Sequence, residues 1–387
     1  MRNYIFILLT GFLFFSGKIS SAQDTISSVT DTLTFSGQLS AWGRYNHQSA
    51  LPVIIGGRYI PSINYCLKFP QGKLIDVEGS ANIFGYLAQH PFDTSHIEGS
   101  ITPYRARVRF STNQFEVRLG LQKINFGSST LLRPLMWFDQ LDPRDPLKLT
   151  NGVWAILGRY YFMNNANIWL WCLYGNKKQR PWDVGKTTIN TPELGTRIQV
   201  PVRKGEVALS YHFRKADTRD VGNNVPAFAE IPESRWGLDG KWDLGIGVWF
   251  EGVWINKNKN LGALTNQEII NAGIDYTFNL GNGLNVMFEQ MLVASDEYAF
   301  EFAHNLSFSA LSISYPLGIV DYLNAIVYYD LKNRAAYNFI NWNHNFKYIA
   351  LHTMAYWNPD NYQLPQQGNS TSDFAGPGFQ IMLVYNH

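Results

Sequence analysis

Apolar and polar residues alternate with period two through almost the whole chain beyond its N-terminus, and few folds tolerate that pattern at such length. Leu33, Phe35, Leu39, Ala41 and Tyr45 alternate with Thr34, Ser36, Gln38, Ser40 and Arg44. Ile75, Val77, Ala81, Ile83 and Leu87 alternate with Asp76, Glu78, Ser80 and Asn82. Ile270, Ala272, Ile274, Tyr276, Phe278 and Leu280 do so with Asn271, Asp275, Thr277 and Asn279. Each run is a strand with two unlike faces. The runs last about ten residues or more, beyond the ~5–6 of globular strands and close to the ~9–11 of a tilted strand that crosses a membrane. Helical spacing is nearly absent.

The pattern divides into 18 segments, with 16 as the alternative count, and the connections alternate in length. Short ones fall at 70–73, 111–114, 163–166, 203–205, 243–247, 279–283, 316–320 and 342–346. Longer ones fall at 46–56, 88–95, 127–152, 176–192, 215–234, 256–267, 295–304 and 357–372, with a brief exception at 330–335. Short turns on one rim and long loops on the other are the build of bacterial outer-membrane barrels, turns on the periplasmic side. A soluble sandwich has no reason to segregate loop length by parity. The predicted fold is therefore all-β: a transmembrane antiparallel up-and-down barrel. It must close, because an open edge in lipid leaves backbone groups unpaired, and 18 tilted strands enclose an aqueous lumen. The last segment, Phe379 to His387, is a strand placed to pair with the first.

Composition agrees. Aromatics make up 15% and charged residues 16%, against about 25% charged in ordinary soluble domains. Mean hydropathy is nevertheless −0.17, as expected when half of each strand meets lipid and half meets water. Trp236, Trp242, Trp254, Tyr45, Tyr211 and Phe213 are candidates for interfacial girdles. A net charge of +2 gives no basic field for nucleic acid.

Arg2, the apolar run from Tyr4 to Phe15 and the small residues Ser20-Ser21-Ala22 read as a secretory signal over 1–22, leaving 23–387 as the barrel. A retained anchor helix is the alternative. Removing 1–22 takes Arg2 and Lys18 and brings the net charge to zero. Cys66 and Cys172 both sit in strand-like runs, which points to two packed thiols rather than a disulfide framework.

Charge falls mostly on the inward phase. Arg105, Arg107 and Arg109 alternate with Ala106, Val108 and Phe110; across the turn, Glu116 and Arg118 alternate with Phe115, Val117 and Leu119. With Phe110 opposite Phe115, Arg109 opposes Glu116 and Arg107 opposes Arg118. Two facing arginines call for an anion between them. Arg159, Arg197, Arg203 and Arg214 continue a basic wall, while Asp239, Asp243, Glu251, Asp275 and Glu289, interrupted by Lys241, suggest an acidic one. Facing walls of opposite sign would select solutes by charge. The alternative is local ion pairing, for which Asp76 and Glu78 lie opposite Arg107 and Arg109.

The longest connection, 127–152, is too apolar for a surface loop: Leu131, Leu132, Leu135, Met136, Trp137, Phe138 and Leu141, stiffened by Pro134, Pro143 and Pro146. It is expected to fold into the lumen as a constriction carrying Arg133, Asp139, Asp142, Arg144, Asp145 and Lys148. A folded cap over the mouth is the alternative.

No catalytic constellation stands out. There is no HExxH, GxSxG or phosphate loop, and the eight histidines lack metal-ligand spacing. Ser210 and His212 share one strand face, but the inward one. No catalytic residue, cofactor or metal is therefore assigned.

The run from Leu119 to Gly127 (LGLQKINFG), followed by Leu131 to Leu135 and Asp142-Pro143, resembles the strand-to-inward-loop segment of porin-like channels of the alginate-export-like and anion-selective kind. Leu121 stands where those proteins often carry Arg. The resemblance implies gradient-driven passage of small polar, in some members anionic, solutes past arginines at the constriction. Its implied partners are outer-membrane lipid, the barrel-assembly machinery and the solute itself; a homo-oligomer is left open. A polymer-export barrel and an outer-membrane enzyme are the competing readings.

Overall fold

The computed structural model describes residues 29–90, 94–222, 225–360, 364 and 374–387; the expected signal segment, 1–22, lies outside them. Its strands are β1 (Thr30–Tyr45), β2 (Val53–Lys68), β3 (Leu74–Gln89), β4 (Ser95–Ser111), β5 (Phe115–Gln122), β6 (Val153–Tyr161) and β7 (Asn167–Leu173). Then come β8 (Lys186–Thr187), β9 (Glu193–Val202), β10 (Gly205–Asp217), β11 (Ile231–Asp243), β12 (Gly247–Lys257) and β13 (Asn266–Phe278). The last six are β14 (Leu284–Asp296), β15 (Asn305–Pro316), β16 (Asp321–Asp330), β17 (Ala335–Asn345), β18 (Ile349–Trp357) and β19 (Pro377–Asn386).

Every strand pairs antiparallel with its neighbours, and β7 pairs directly with β9, so the two-residue β8 lies outside an 18-strand wall. The wall closes between β1 and β19 in a register running from Gln38↔Asn386 to Tyr45↔Phe379. Gly37 and His387 add one more rung, exchanging two N–H···O bonds of 3.0 Å. Closure leaves no sheet edge across this span, as a lipid setting demands. His387 packs its ring against Phe35 and Tyr385 and bonds the Tyr59 hydroxyl at 3.0 Å.

Connection lengths alternate as read from the sequence except at two places on the long-loop rim: the expected brief turn, four residues at 331–334, and the connection at 90–94, which has five residues, as many as the turn at 69–73. One turn is displaced. The connection expected at 342–346 lies at 346–348, because Asn341, Asn343 and Asn345 are inward residues of β17 and not turn formers. The face assignment holds: Leu39 and Ile274 are 48% and 49% exposed on the outer surface.

The interior departs from a simple aqueous lumen. A dry cluster occupies part of it, made by Ile124, Phe126, Leu131, Leu132, Leu135, Trp137 and Phe138 of one connection against inward residues such as Leu157, Trp171, Val253, Ile255, Ile269 and Met291. At those inward positions the wall is apolar on both faces. Only something entering the barrel can cover them. Burying one such side chain contributes about 1.5–3 kcal/mol.

Candidate functional site

The connection from Lys123 to Gly152 runs inside the barrel, and two carboxylates on facing strands hold its backbone. Glu289 of β14 accepts the N–H groups of Thr130, Leu131 and Leu132 at 2.8, 3.2 and 2.6 Å, and the Trp249 indole N–H at 3.1 Å. Glu251 of β12 accepts those of Ser129 and Leu135 at 2.6 and 3.1 Å. Asn271 of β13 donates to the Leu132 carbonyl at 2.8 Å. The irregular loop has no ladder of its own, so its buried N–H groups need acceptors from the wall.

This changes the reading of the acidic wall. Glu251 and Glu289 do point inward, but they are 1% and 0% exposed beneath the loop and do not face water. Asp239 is covered as well: Arg197 grips it through two N–H···O bonds of 2.6 and 2.9 Å, and Ser128 of the loop donates to it. Asp275 stays half-buried near the short-turn rim, while Asp243 and Arg203 lie exposed at or beside turns. No continuous acidic surface faces the arginines. Further round, inward positions of β15 to β18 bear Ser312, Ser314, Asn324, Asn341, Asn343 and His352, which are neutral hydrogen-bonding groups.

A second connection, 174–192, also enters the barrel, which the sequence reading did not anticipate. Its Arg180 bonds Asp183 at 3.2 Å and Glu193 at 2.5 Å. Asp183 in turn meets Arg214 at 3.2 Å and Arg235 at 2.5 Å, and both arginines bind Glu233 at 2.6 Å. His212 bonds Glu193 at 3.0 Å and receives the Trp171 indole N–H at 3.2 Å. Burial alone would raise the Asp183 carboxyl, but Arg180, Arg214 and Arg235 outweigh it and hold it below its ordinary range. Arg214, expected at the pore surface, belongs to this fully buried network, and Trp182 ties the two loops by donating to the Arg133 carbonyl at 3.1 Å.

Five arginines and a lysine gather in one recess of about 320 Å³, lined by Arg105, which is buried, and by Arg107, Arg109, Arg118, Arg159, Lys123, Gln122, Asn125 and Glu78. It lies on the short-turn side of the loop, where the side chains of β4, β5 and β6 converge. The β4–β5 register differs from the expected one. Asn113 and Gln114 form a two-residue turn closed by Thr112 and Phe115, so Arg109 opposes Arg118 and Ser111 opposes Glu116. Arg107 faces Gly120.

The anion that two facing arginines require is present. Glu116 meets Arg118 at 2.9 Å, Arg109 at 3.5 Å and Arg159 at 3.7 Å. Asp76 pairs with Arg109, and Glu78 with Arg107 at 2.5 Å. These three carboxylates pair with four of the six cations. Arg105 instead lies over the Tyr104 ring and donates to the Thr150 carbonyl of the loop at 3.0 Å, and Arg159 stacks 3.7 Å from the Trp169 ring centre. Burial pulls the Lys123 ammonium below lysine's ordinary value; Asp139 opposes that, and Arg133, Arg105 and Lys148 add to it.

Of the other loop residues, Arg133 pairs with Asp139 at 2.8 Å and Arg144 with Asp142 at 2.7 Å, both arginines buried. Lys148 is exposed, with a left-handed φ of 47°. The sequence reading passed over Gln122, Lys123 and Asn125, although their place at the strand-to-loop junction was a usable signal.

No family model matches the chain, and no curated protein does. Solved structures match over nearly its whole length. OccK5 (OpdH) of Pseudomonas aeruginosa superposes with a TM-score of 0.54 at 10% identity, covering 92% of this chain and 97% of that one. OccAB1 of Acinetobacter baumannii gives 0.54 at 10% identity, covering 92% and 96%. The chain has the outer-membrane porin fold. Salmonella typhi OmpF, solved with daunomycin, gives 0.51 at 9% identity over 92% and 97%. At such identity the porin-like barrel is shared, and residue roles must come from this chain's own geometry.

Proposed function

We propose that this porin-like barrel is an outer-membrane channel that passes small polar solutes down their gradients and favours anions. The observation that carries this is the recess beneath the inward loop, where six cationic side chains gather and Asp76, Glu78 and Glu116 pair with four of them. An anion entering there meets donors already arranged by stacking and by loop carbonyls, and pays little to organise them. A cation meets unbalanced positive charge. At about 4 Å and an effective dielectric near 20, one such pairing is worth ~4 kcal/mol before desolvation is subtracted.

The chain would reach the membrane by cleavage after Ala22, would be inserted by the barrel-assembly machinery, and would present its apolar belt to outer-membrane lipid. The inward loop narrows the path, so the solute is of a size to pass a constriction. Refolded protein in a planar bilayer is the direct test: discrete conductance steps are expected, and a closed, heat-modifiable barrel that never conducts would end the channel reading while leaving the fold intact.

A further inference from the structure

Beside the brief turn at 331–334 on the long-loop rim, the neighbouring connection, 297–304, folds over the outward side of β12, β13 and β14. Two outward carboxylates hold it: Glu268 accepts the Phe300 N–H at 3.0 Å, and Asp296 accepts those of Ala303 and His304 at 3.1 and 3.0 Å. Phe300 and Phe302 both take left-handed φ, 61° and 55°, a strained choice for aromatic residues. Phe300 packs on Trp254 with ring centres 5.4 Å apart, while Tyr298 and Phe300 stay exposed.

Between this strap and the turn lies a cleft of about 470 Å³ lined by Ala303, His304, Asn305, Ser307, Leu331 and Lys332. Its floor is on the outward phase, since Ser307 alternates with the inward Phe308 of β15. Polar residues continue below it: Gln290 donates to Ser307 at 2.7 Å and accepts from Ser309 at 2.6 Å, a self-satisfied trio on a face that is otherwise Phe288, Leu292, Leu311 and Ile313. Two acidic groups beside the cleft, Asp296 and Asp330, are occupied. Asp296 is bound by the strap and by His304 Nδ1 at 2.8 Å, and Asp330 by the N–H groups of Lys332 and Asn333. Lys332 makes no ion pair among the described residues.

We propose that this cleft binds the phosphate of a lipid in the bilayer leaflet at the long-loop rim. Lys332 meets the headgroup, with His304 and Asn305 beside it, and the chains descend past Leu331 and the apolar wall. The inference rests on the membrane-barrel reading but not on channel activity.

The test is native mass spectrometry of the folded barrel released from dodecyl maltoside micelles doped with dodecyl phosphate, with heat-modifiable migration confirming closure of each variant. The wild type is expected to retain one dodecyl phosphate, Lys332→Glu to retain it about tenfold less, and Lys332→Gln to fall between. Ser307→Trp, which fills the floor, should abolish retention. Equal retention by the wild type and Lys332→Glu would overturn the proposal. So would displacement of dodecyl phosphate by equimolar inorganic phosphate, which would make the site one for free anions. A barrel that fails to insert into phosphatidylcholine vesicles would instead refute the membrane reading.

Discussion

The backbone N–H of Leu132 donates to the Glu289 carboxylate at 2.6 Å, across 157 positions of sequence. That bond, with its neighbours on Thr130 and Leu131, fixes an apolar loop inside a barrel through one wall residue. Glu251 repeats the arrangement on β12. These two inward carboxylates therefore hold the loop in place and are covered by it.

Replacing Glu289 by Ala removes the acceptor for the N–H groups of Thr130, Leu131 and Leu132 and for the Trp249 indole, all but the first of them on buried residues. Each unsatisfied group costs about 1–3 kcal/mol, so the loop should lose on the order of 3 kcal/mol of docking stability or more. Single-channel conductance is expected to rise and become noisy, with protease cleavage appearing within 123–152. Conductance and cleavage unchanged from the wild type would mean that apolar packing alone seats the loop.

Acid should leave the second inward connection intact until unusually low pH. The folded Asp183 carboxyl lies below its ordinary value near 3.8, so the stability it contributes is complete above that value and is lost only as pH falls through the lower folded one. The slowing of hydrogen exchange over 174–192 in the wild type relative to Asp183→Asn is expected to persist from about pH 7 to about pH 4 and to shrink below. A difference that shrinks already between pH 7 and 5 would contradict the ion network.

Alkali should weaken anion preference early. Lys123 titrates below lysine's ordinary 10.5, so its charge leaves the recess before that pH is reached. The anion-to-cation permeability ratio should begin to drop on the acid side of 10.5, and Lys123→Met should remove that part of the drop. A ratio that stays flat until the arginine range would show that Lys123 does not face the solute.

The wall was legible in the sequence because each strand's two faces meet different surroundings, and period two records that directly. Closure, strand number and the inward course of 127–152 followed from Leu39, Ile274 and Trp137 each needing a suitable environment. The β4–β5 register was not legible, since alternation fixes which face Arg109 takes but not whether it meets Glu116 or Arg118; the turn at Asn113-Gln114 decides that. Nor was the burial of Arg197, Arg214, Asp239 and Glu289. Parity places them inward, and only the loops then show that they are covered. Loop 174–192 was missed because Arg180 and Asp183 look solvated until paired with Glu193, Arg214 and Arg235 on distant strands.

The account turns on the recess of Arg105, Arg107 and Arg118, and the reversal potential across a planar bilayer in asymmetric potassium chloride measures it most directly. The wild type should show a potential of the sign set by chloride, and Arg105→Ala/Arg107→Ala/Arg118→Ala should move it to zero or toward the potassium side at similar conductance. Identical reversal potentials in the two proteins would contradict the account and leave those arginines as paired residues of the wall.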